Sequence, residues 1–314
     1  MLALGIDTSN YTTSAALCRP GEEPRQRRRL LPVAAGERGL RQSEAVFAHV
    51  RQLQEIMVPL LQEAEEPLSC VCASVSPRDG DSSYMPVFRV GESQGRLIAA
   101  ALHIPFFPTT HQRGHVAAAR FRSGLAADRF IALHLSGGTT DVLLAEGERL
   151  TPLGTSADLH AGQLVDRVGV ALQLPFPAGP HLEELAKKGA CRNRVPVSLD
   201  AQGLTCHLSG AEAQLMRMIA ADVPPADIAA EVYGVLCRTV LRLLAAAAEK
   251  TGTENVLIAG GVASSALLRR LLAERNEKRR LGLRLYFGRP EFSGDNAVGA
   301  ALIGLEQLMI KENR

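Results

Sequence analysis

The sequence predicts an α/β protein built from two related halves. Each half begins with a strand, a polar turn and a returning strand, and units of helix and strand follow. The first turn covers residues 8–13 and the second covers residues 136–140. A chain of 314 residues is long enough for two ordinary domains, each with its own core. We expect the domains to cover residues 1–127 and 128–314, with the last helix, residues 295–310, packing back on the first domain.

The first half shows strand patterns before and after a long amphipathic helix. Strands are predicted for residues 2–7, 14–18, 25–33, 70–75 and 104–107, and helices for 43–63, 89–102 and 111–121. Ser43 is the expected N-cap of the long helix. The helix is predicted from apolar residues that recur at helical spacing, namely Val46, Val50, Leu53, Met57 and Leu60.

The second half repeats the pattern of strand, turn and returning strand. Strands are predicted for residues 130–135 and 141–145, near residue 150, and for 255–258 and 283–287. Helices are predicted for residues 162–172, 181–188, 210–219, 226–250, 264–273 and 295–310. The similarity between the halves indicates a structural duplication rather than a sequence repeat.

Two βββαβα halves that face a cleft are the architecture of actin, the heat-shock chaperone ATPases and the sugar kinases. The predicted fold class is therefore the actin-like ATPase (ASKHA) fold, with two duplicated βββαβα lobes around a nucleotide cleft. In this arrangement the two hairpin turns hold a phosphate between the lobes, because backbone amides of small residues leave an anion room to approach.

Composition and charge favour a globular protein of the cytoplasm. The hydrophobic share is 46% and the charged share 22%, as in folded domains. The N-terminus does not have the pattern of a signal peptide, and the apolar runs are too short to span a membrane. We therefore expect cytoplasmic localisation and no membrane association. The six scattered cysteines are expected to be reduced.

The charge pattern gives no general argument for nucleic-acid binding, because the formal net charge is only +2. The one basic run is Arg27-Arg28-Arg29. It is either a nucleic-acid contact or an edge strand that is protected by charge, and the second interpretation is favoured.

The turn at residues 136–140 is a candidate phosphate site. Gly137 and Gly138 permit close approach of a ligand to the backbone, and Thr139 and Thr140 add hydroxyl donors. A tight hairpin turn without a ligand explains the same residues, and taken alone it is the slightly better explanation.

A second glycine pair, Gly260 and Gly261, lies between a predicted strand and a predicted helix. Here a nucleotide can lie against the backbone, and the N-terminus of the helix favours negative charge. An ordinary connection from strand to helix is the alternative.

His111, His115 and Asp295 are candidate metal ligands. The two histidines are four residues apart, which places both imidazoles on one face of a helix. Asp295 follows a glycine at a predicted helix start, so it is either a helix cap or a third ligand from a distant part of the chain. Two imidazoles and a carboxylate suit iron, manganese or zinc and leave coordination positions open. Two unrelated surface histidines are the alternative.

Several motifs together resemble the bacterial TsaD/Gcp family of threonylcarbamoyl transferases, which modify N6 of adenosine in tRNA. The resemblance covers nearly the whole chain. It rests on His111-Gln112-Arg113-Gly114-His115, Leu135-Ser136-Gly137-Gly138-Thr139-Thr140, Gly162-Gln163-Leu164-Val165-Asp166-Arg167, Pro177-Ala178-Gly179-Pro180, Leu208-Ser209-Gly210, Ala259-Gly260-Gly261-Val262 and Arg289-Pro290-Glu291-Phe292-Ser293-Gly294-Asp295-Asn296.

The resemblance implies one divalent metal, iron or zinc before manganese, on His111, His115 and Asp295. It also implies an adenine nucleotide, namely threonylcarbamoyl-AMP, AMP or ATP. In the family the threonylcarbamoyl group passes from threonylcarbamoyl-AMP to N6 of a tRNA adenosine, and AMP leaves. The implied partners are tRNA and either accessory subunits like TsaB and TsaE or a second copy. The implied nucleotide and substrate contacts are Leu135, Ser136, Gly137, Gly138, Thr139, Thr140, Asp166, Gly179, Gly260, Gly261 and Ser265.

Some positions depart from the pattern of the family. The first loop of the family reads Glu-Thr-Ser-Cys-Asp-Glu-Thr, whereas here Asn10, Tyr11 and Thr12 follow Asp7-Thr8-Ser9, so the acidic pair is missing. Thr139 replaces the histidine of the Gly-Gly loop, and Gln163 and Ser265 replace a glutamate and an asparagine. Residues 76–86 replace a Gly-Pro-Gly segment and are expected to form a loop at the cleft or an ordinary surface connection.

Other functions remain open at this point. A paralogue that carbamoylates another acceptor fits the altered first loop, and so does a non-catalytic, nucleotide-dependent subunit. A peptidase is weaker, because no glutamate lies between the two histidines to act as a base. A sugar kinase leaves the two histidines unexplained. Acceptance of tRNA requires a basic face, for which the sequence positions suggest Arg78, Arg89, Arg113, Arg120 and Arg122.

Overall fold

The computed structural model describes residues 1–9, 11–32, 40–80 and 85–313. Asn10, Val33 and residues 81–84, to which predictions were attached, lie outside this range. The chain forms two compact units. Unit 1 consists of Met1–Phe121 and Gly294–Arg314, and unit 2 consists of Arg122–Ser293. The last helix therefore belongs to unit 1.

Unit 1 contains a five-stranded sheet in the order β3-β2-β1-β4-β5. The first three strands pair in antiparallel fashion, and β4 and β5 continue from β1 in parallel. Residues of β1 and β2 are buried throughout, so these strands form the centre of the core. The strands are β1 (Ala3–Asp7), β2 (Thr12–Cys18), β3 (Arg25–Leu30), β4 (Cys70–Ser76) and β5 (Phe106–Thr110).

The described part of unit 1 also contains α1 (Gln42–Gln62), α2 (Val87–Leu102), α3 (His111–Arg120) and α9 (Val298–Glu312). The helix α1 is confirmed, but its predicted N-cap is wrong. Ser43 lies inside the helix, whose N-cap is Arg41, because Glu44 accepts the Arg41 backbone N–H at 3.2 Å. Val50 is 53% exposed, because His49 and Gln52 occupy the buried face instead.

Two boundaries near the predicted metal ligands differ from the prediction. The strand predicted for residues 104–107 is shifted and forms β5, which ends at Thr110, directly before α3. The helix predicted to begin at Asp295 begins at Val298, so Asp295 lies in the turn before it. Side chains mark both helix starts, since Thr110 accepts the Arg113 N–H and Asn296 accepts the Val298 N–H.

Helices α3 and α9 approach each other with their backbones in contact. A Cβ atom added to Gly299 of α9 would lie 1.7 Å from the backbone oxygen of Gly114 of α3. No side chain fits at Gly299, whereas a methyl group at Gly114 would meet its nearest atom at 3.8 Å. This close crossing places the start of α9 beside α3.

Unit 2 contains a seven-stranded sheet in the order β12-β11-β6-β7-β8-β10-β9. Its five strands β8-β7-β6-β11-β12 repeat the arrangement β3-β2-β1-β4-β5 of unit 1, including the parallel and antiparallel pairs. The strands are β6 (Arg129–Leu135), β7 (Thr140–Glu146), β8 (Arg149–Ser156), β9 (Ser198–Leu199), β10 (Thr205–His207), β11 (Asn255–Ala259) and β12 (Arg284–Phe287). The short strands β9 and β10 were not predicted, because two or three residues carry no periodicity.

The core of unit 2 lies between this sheet and α7, whose central residues are buried nearly all round. The helices are α4 (Ala161–Ala171), α5 (Gly179–Ala186), α6 (Ser209–Ala220), α7 (Pro225–Thr251) and α8 (Ala266–Arg279).

The six cysteines are free thiols, as predicted. Among the residues that the structure describes, we find no helix that combines the length and apolar character needed to cross a membrane.

Candidate functional site

His111, His115 and Asp295 come together in unit 1. The Nε2 atoms of the two histidines are 2.9 Å apart. The Oδ1 atom of Asp295 lies 3.5 Å from His111 Nε2 and 3.3 Å from His115 Nε2. Three donor atoms therefore converge on one point, although His111 and Asp295 are 184 positions apart in the sequence. A single metal ion requires such an arrangement.

The local sequence explains how each ligand is held. Thr110 ends β5 and caps α3, its hydroxyl accepting the Arg113 backbone N–H at 3.2 Å, so α3 starts at the first histidine. The imidazoles of His111 and His115 meet edge to face at 4.3 Å between ring centres. The capping alternative for Asp295 is wrong: the neighbouring Asn296 accepts the Val298 N–H at 3.0 Å and leaves the Asp295 carboxylate to the histidines.

Asp7, at the end of β1, is a site residue that the motifs did not single out. It is 1% exposed, and its Oδ2 atom lies 2.9 Å from His111 Nδ1. Ser74 on β4 donates to the same oxygen at 2.6 Å, and Ser9 donates to Oδ1 through both its backbone N–H and its hydroxyl. A carboxylate on Nδ1 fixes the ring orientation and directs Nε2 towards a metal.

The charges in this cluster stabilise one another. Burial opposes protonation of His111, but the carboxylates of Asp7 and Asp295 outweigh it and raise its pKa to about 10. Burial also opposes ionisation of the two aspartates, yet their bonds to the histidines hold the pKa of each below its usual value. Without a metal, a protonated His111 supplies the positive charge that the two carboxylates require.

The cluster fits a divalent transition metal. Two ligand atoms at about 2.0–2.1 Å from one tetrahedral ion lie about 3.3–3.4 Å apart, close to the separations found here. His115 is buried, while the side chains of His111 and Asp295 are 19% and 24% exposed, so the ion would be reachable from solvent. The donor set of two nitrogens and one oxygen suits zinc, iron or manganese.

The Gly-Gly turn of unit 2 is a braced loop at the end of β6. The Ser136 backbone N–H donates to Thr139 O at 2.9 Å, and the Ser136 hydroxyl accepts the N–H of Thr139 at 3.1 Å. Space around Gly137 and Gly138 is open, since an added Cβ at either would meet no atom within 4 Å. The Gly162 N–H of α4 donates to Ser136 O at 3.1 Å and ties the turn to that helix.

A cavity of about 350 Å³ opens beside this turn within unit 2. It is large enough to enclose a substantial part of a nucleotide. Its walls come from the Gly-Gly turn, α4, α5, α7 and the start of α8. The lining residues are Gly137, Gly162, Val165, Asp166, Pro177, Gly179, Pro180, Glu183, Tyr233, Gly261, Val262, Ser264 and Ser265.

Five of the eleven predicted nucleotide contacts line this cavity, namely Gly137, Asp166, Gly179, Gly261 and Ser265. The other six, Leu135, Ser136, Gly138, Thr139, Thr140 and Gly260, do not. Leu135 is buried in β6, and Gly260 (φ 104°) lies so close to it that an added Cβ would be 2.1 Å from its backbone oxygen. Gly260 is thus required by packing between β6 and β11, whatever it binds.

The polar residues that line the cavity also form hydrogen bonds with the backbone of the protein. Asp166 Oδ1 accepts the Ala178 N–H at 2.9 Å, and the Ser265 hydroxyl caps α8 by accepting the Leu268 N–H at 3.1 Å. Glu183 and Tyr233 were not predicted. Glu183 accepts the Leu267 N–H at the start of α8 at 2.8 Å, and Tyr233 donates to Gly179 O at 3.1 Å. Neither belongs to a recognisable motif, so only the packing of α5, α7 and α8 reveals them.

Two sheets that share one strand order define a protein with the actin-like ATPase fold, and its His-His-Asp cluster is a candidate metal site. The family model described as "TsaD: tRNA N6-adenosine threonylcarbamoyltransferase" matches residues 38–302. The chain belongs to this family, as its motifs predicted.

Curated relatives agree with this assignment. The chain is 29% identical over 273 residues to a tRNA N6-adenosine threonylcarbamoyltransferase of Methanopyrus kandleri (85% of this chain, 76% of the relative). The identity is also 29%, over 278 residues, to the protein of the same name from Prochlorococcus marinus (83% of this chain, 76% of the relative).

Among solved structures, component A of the Acidaminococcus fermentans (R)-2-hydroxyglutaryl-CoA dehydratase has a TM-score of 0.59 at 17% identity (98% and 99% coverage). A ROK family glucokinase from Streptomyces griseus has a TM-score of 0.57 at 13% identity (98% and 100%). HypF of T. kodakarensis has a TM-score of 0.64 at 16% identity, with 99% of this chain covering 48% of that one. At these identities the likenesses concern the fold, and they confirm the predicted actin-like ATPase fold.

Replacement of Gly162 by alanine is expected to weaken nucleotide binding. The new Cβ would lie 2.6 Å from Gly137 Cα and 2.7 Å from Ser136 O, so the turn must move. We expect AMP affinity, measured by calorimetry, to fall about tenfold or more, equivalent to about 1.4 kcal/mol. Gly210→Ala is the matched control, because Gly210 is also the second residue of a helix in unit 2 and has open space around it. A folded Gly162→Ala protein with unchanged AMP affinity would contradict the assignment of this turn to the nucleotide site.

Proposed function

We propose that this chain transfers a threonylcarbamoyl group from threonylcarbamoyl-AMP to N6 of adenosine in tRNA, with one divalent metal bound by His111, His115 and Asp295. The observation that carries the proposal is the convergence of these three side chains, with Nε2 and Oδ1 atoms 2.9–3.5 Å apart. Membership of the threonylcarbamoyltransferase family supplies the reaction and the tRNA acceptor. The cytoplasm, where tRNA is available, is the proposed location.

The metal would be iron or zinc, with manganese as the third choice. When bound, such an ion acts as a Lewis acid that polarises a substrate oxygen. The protein's part is to hold the ligands ready. Asp7 keeps His111 oriented through Nδ1, and Asn296 caps α9 so that Asp295 is available.

For the nucleotide we propose the cavity of unit 2. The Gly-Gly turn at residues 136–139 would contact a phosphate, because its glycines leave room for an anion beside backbone amides. Asp166 and Gly179 would contact the ribose or the acyl part of the substrate, and Gly261 and Ser265 would lie along the adenosine. The start of α8 adds the positive end of a helix dipole to this wall.

The acceptor amine of adenine is a weak nucleophile, because its lone pair is delocalised into the ring. In place of the family's acidic pair this chain has Tyr11 and Thr12. The proposed reaction therefore depends on positioning of the amine and on polarisation of the carbamoyl carbonyl.

Loss of either histidine is expected to abolish metal binding and transfer. His111→Ala and His115→Ala each leave two ligands, too few for a stable site. We expect bound metal, measured by plasma mass spectrometry after dialysis, to fall to about a tenth of one equivalent or less. Transfer of radiolabelled threonylcarbamoyl to tRNA should fall about 100-fold or more, if the ion supplies several kcal/mol to the transition state.

His181→Ala is the control for these variants, since His181 is an exposed helical histidine outside the cluster. Full metal content in a His111→Ala/His115→Ala double variant would contradict the site. A wild-type protein that binds metal and nucleotide but does not label tRNA, with accessory subunits present, would contradict the tRNA acceptor and favour another acceptor.

Asp7→Asn is expected to weaken metal binding while all three ligands remain. The amide keeps the shape of the carboxylate but loses the charge that faces His111 Nδ1 at 2.9 Å. Loss of such a partner typically costs 10–100-fold in metal affinity, so we expect a Kd for zinc, measured by competition with a chelator, that is higher by about that factor. Asp79→Asn is the matched control, because Asp79 bonds to the half-buried Arg113 rather than to a ligand. Equal zinc affinities of the wild type and Asp7→Asn would contradict the role of Asp7.

A partner subunit is proposed to dock on the outer face of α1 and α2. Phe47 (65% exposed) and Val50 (53%) are three residues apart and share one face of α1, and Leu97 of α2 is 64% exposed. Exposed apolar side chains that share a face mark interaction sites. We expect a second copy or an accessory subunit like TsaB to cover them.

Light scattering tests this proposal with the accessory subunits absent and then present. We expect a complex with wild-type protein and free monomer with Phe47→Asp/Leu97→Asp. The double variant Leu30→Asp/Phe176→Asp, also at exposed apolar positions, is the control and should still associate. Wild-type protein that stays monomeric in both mixtures would contradict this docking face.

A further inference from the structure

Positive charge is concentrated in two segments of unit 2. Residues 187–194 and 266–280 contain ten lysines and arginines but only two glutamates, although the whole chain carries a net charge of just +2. The first segment is the loop after α5, and the second is α8 with the residue that follows it. Such an asymmetry points to a polyanionic partner rather than to general solubility.

The two segments are in contact. Arg275 of α8 donates to the Asn193 side chain of the loop at 3.1 Å. Arg270 lies near enough to Lys187 for the two positive charges to repel each other. On α8, Arg275, Lys278 and Arg279 are spaced i, i+3 and i+4 and therefore share one face of the helix. Loop and helix together present one basic surface, defined as Lys188, Arg192, Arg194, Arg275, Lys278 and Arg279.

Most of this charge has no internal counter-ion. Lys188, Arg192 and Arg194 are exposed and form no ion pair within the described parts of the chain. The basic run of unit 1 differs in this respect. Arg27 pairs with Glu63, the C-cap of α1, and Arg29 pairs with Glu55 of α1. The charges of Arg27 and Arg29 are therefore paired within unit 1, whereas the basic surface of unit 2 is available to an external anion.

Two buried charged residues of α7 fix the loop. Glu231, 1% exposed, accepts the backbone N–H of Arg192 at 2.6 Å and of Arg194 at 3.0 Å. Arg238, 9% exposed, donates to the Asn193 side chain and to Val195 O. Burial of a charge is costly unless its bonds are satisfied, so this pair indicates a loop whose conformation is held in place. A fixed loop presents its arginines with less loss of entropy on binding.

The basic surface continues from the elements that form the nucleotide cavity. Glu183 lines the cavity, and Lys187 follows one turn later, roughly 6 Å along the helix. Tyr233 lines the cavity, and Arg238 lies roughly 7.5 Å further along α7. On α8 the distance from Ser265 to Arg275 is roughly 15 Å. An anionic chain bound to this surface would thus run along unit 2 away from the cavity.

We propose that the basic surface of unit 2 binds the phosphate backbone of the tRNA substrate. The inference rests on the proposed function, which supplies tRNA as the acceptor, and it adds the surface that holds the tRNA. Arginine and lysine side chains on phosphates position a nucleic acid without reading its sequence. Of the five arginines suggested by sequence position, Arg89 and Arg113 are engaged in ion pairs with Glu92 and Asp79.

The test compares Arg192→Gln/Arg194→Gln with Arg27→Gln/Arg29→Gln. Both double variants remove two charges from exposed arginines two residues apart, but only the first alters the basic surface. Binding of tRNA is measured by fluorescence anisotropy at several salt concentrations, with AMP and zinc present. We expect the loop variant to bind about tenfold more weakly or worse, and the slope of log K against log salt to shrink by about 1.4–1.8. The control variant should retain wild-type affinity and slope.

Two further measurements distinguish the possible outcomes. AMP affinity of the loop variant should stay within about twofold of wild type, since the arginines lie outside the cavity. The loss of affinity should be the same for a tRNA without the acceptor adenosine, because the contact is to the backbone. Wild-type tRNA affinity in the loop variant would overturn the basic surface and leave the proposed function intact. A wild-type protein that binds no tRNA would overturn the proposed function, and this inference with it.

Discussion

The crossing of α3 and α9 is the constraint on which the metal cluster depends. The two helices touch backbone to backbone, because Gly299 has no side chain to separate it from Gly114 O. This contact brings the residues before α9 beside the first turn of α3, which is capped by Thr110 at the end of β5. His111 and His115 then meet a carboxylate that lies far away in sequence. A helix crossing of the usual 8–10 Å, with side chains between the axes, would hold Asp295 further from the imidazoles.

The sheet of unit 1 contributes the second layer of this site. The end of β1 places Asp7 under His111, and β4 adds Ser74, so a buried carboxylate has all its acceptor positions used. Such a charge would be unfavourable in isolation, and the His111 imidazole compensates for it. The geometry of the ligands thus depends on β1, a central strand of the core, and on its parallel neighbour β4.

Unit 2 uses the same strand order for a different purpose. Its Gly-Gly turn takes the place of the first loop of unit 1, and α4, α5, α7 and the start of α8 enclose a cavity next to that turn. Glu183 and Tyr233 connect α5, α7 and α8 around the cavity through bonds to backbone groups. The same helices continue outwards to the proposed basic surface, where buried Glu231 and Arg238 hold the loop. The cavity and the basic surface therefore belong to the same helices, α5, α7 and α8, which hydrogen bonds connect to one another.

The sequence alone determined the fold class and the family, and it singled out His111 and His115 as candidate ligands, since strand patterns, glycine turns and the spacing of the two histidines are local properties. The sequence left two possible roles for Asp295, helix cap and metal ligand. The cap role is excluded only by the structure, in which α9 starts at Val298. The sequence also missed Asp7, Glu183 and Tyr233, which lie in ordinary strands and helices and acquire a role from neighbours distant in the chain. The basic run at residues 27–29 and the arginines at 192 and 194 look alike in sequence. Only tertiary structure separates them, because the charge of a side chain is cancelled by the partner that packing places beside it.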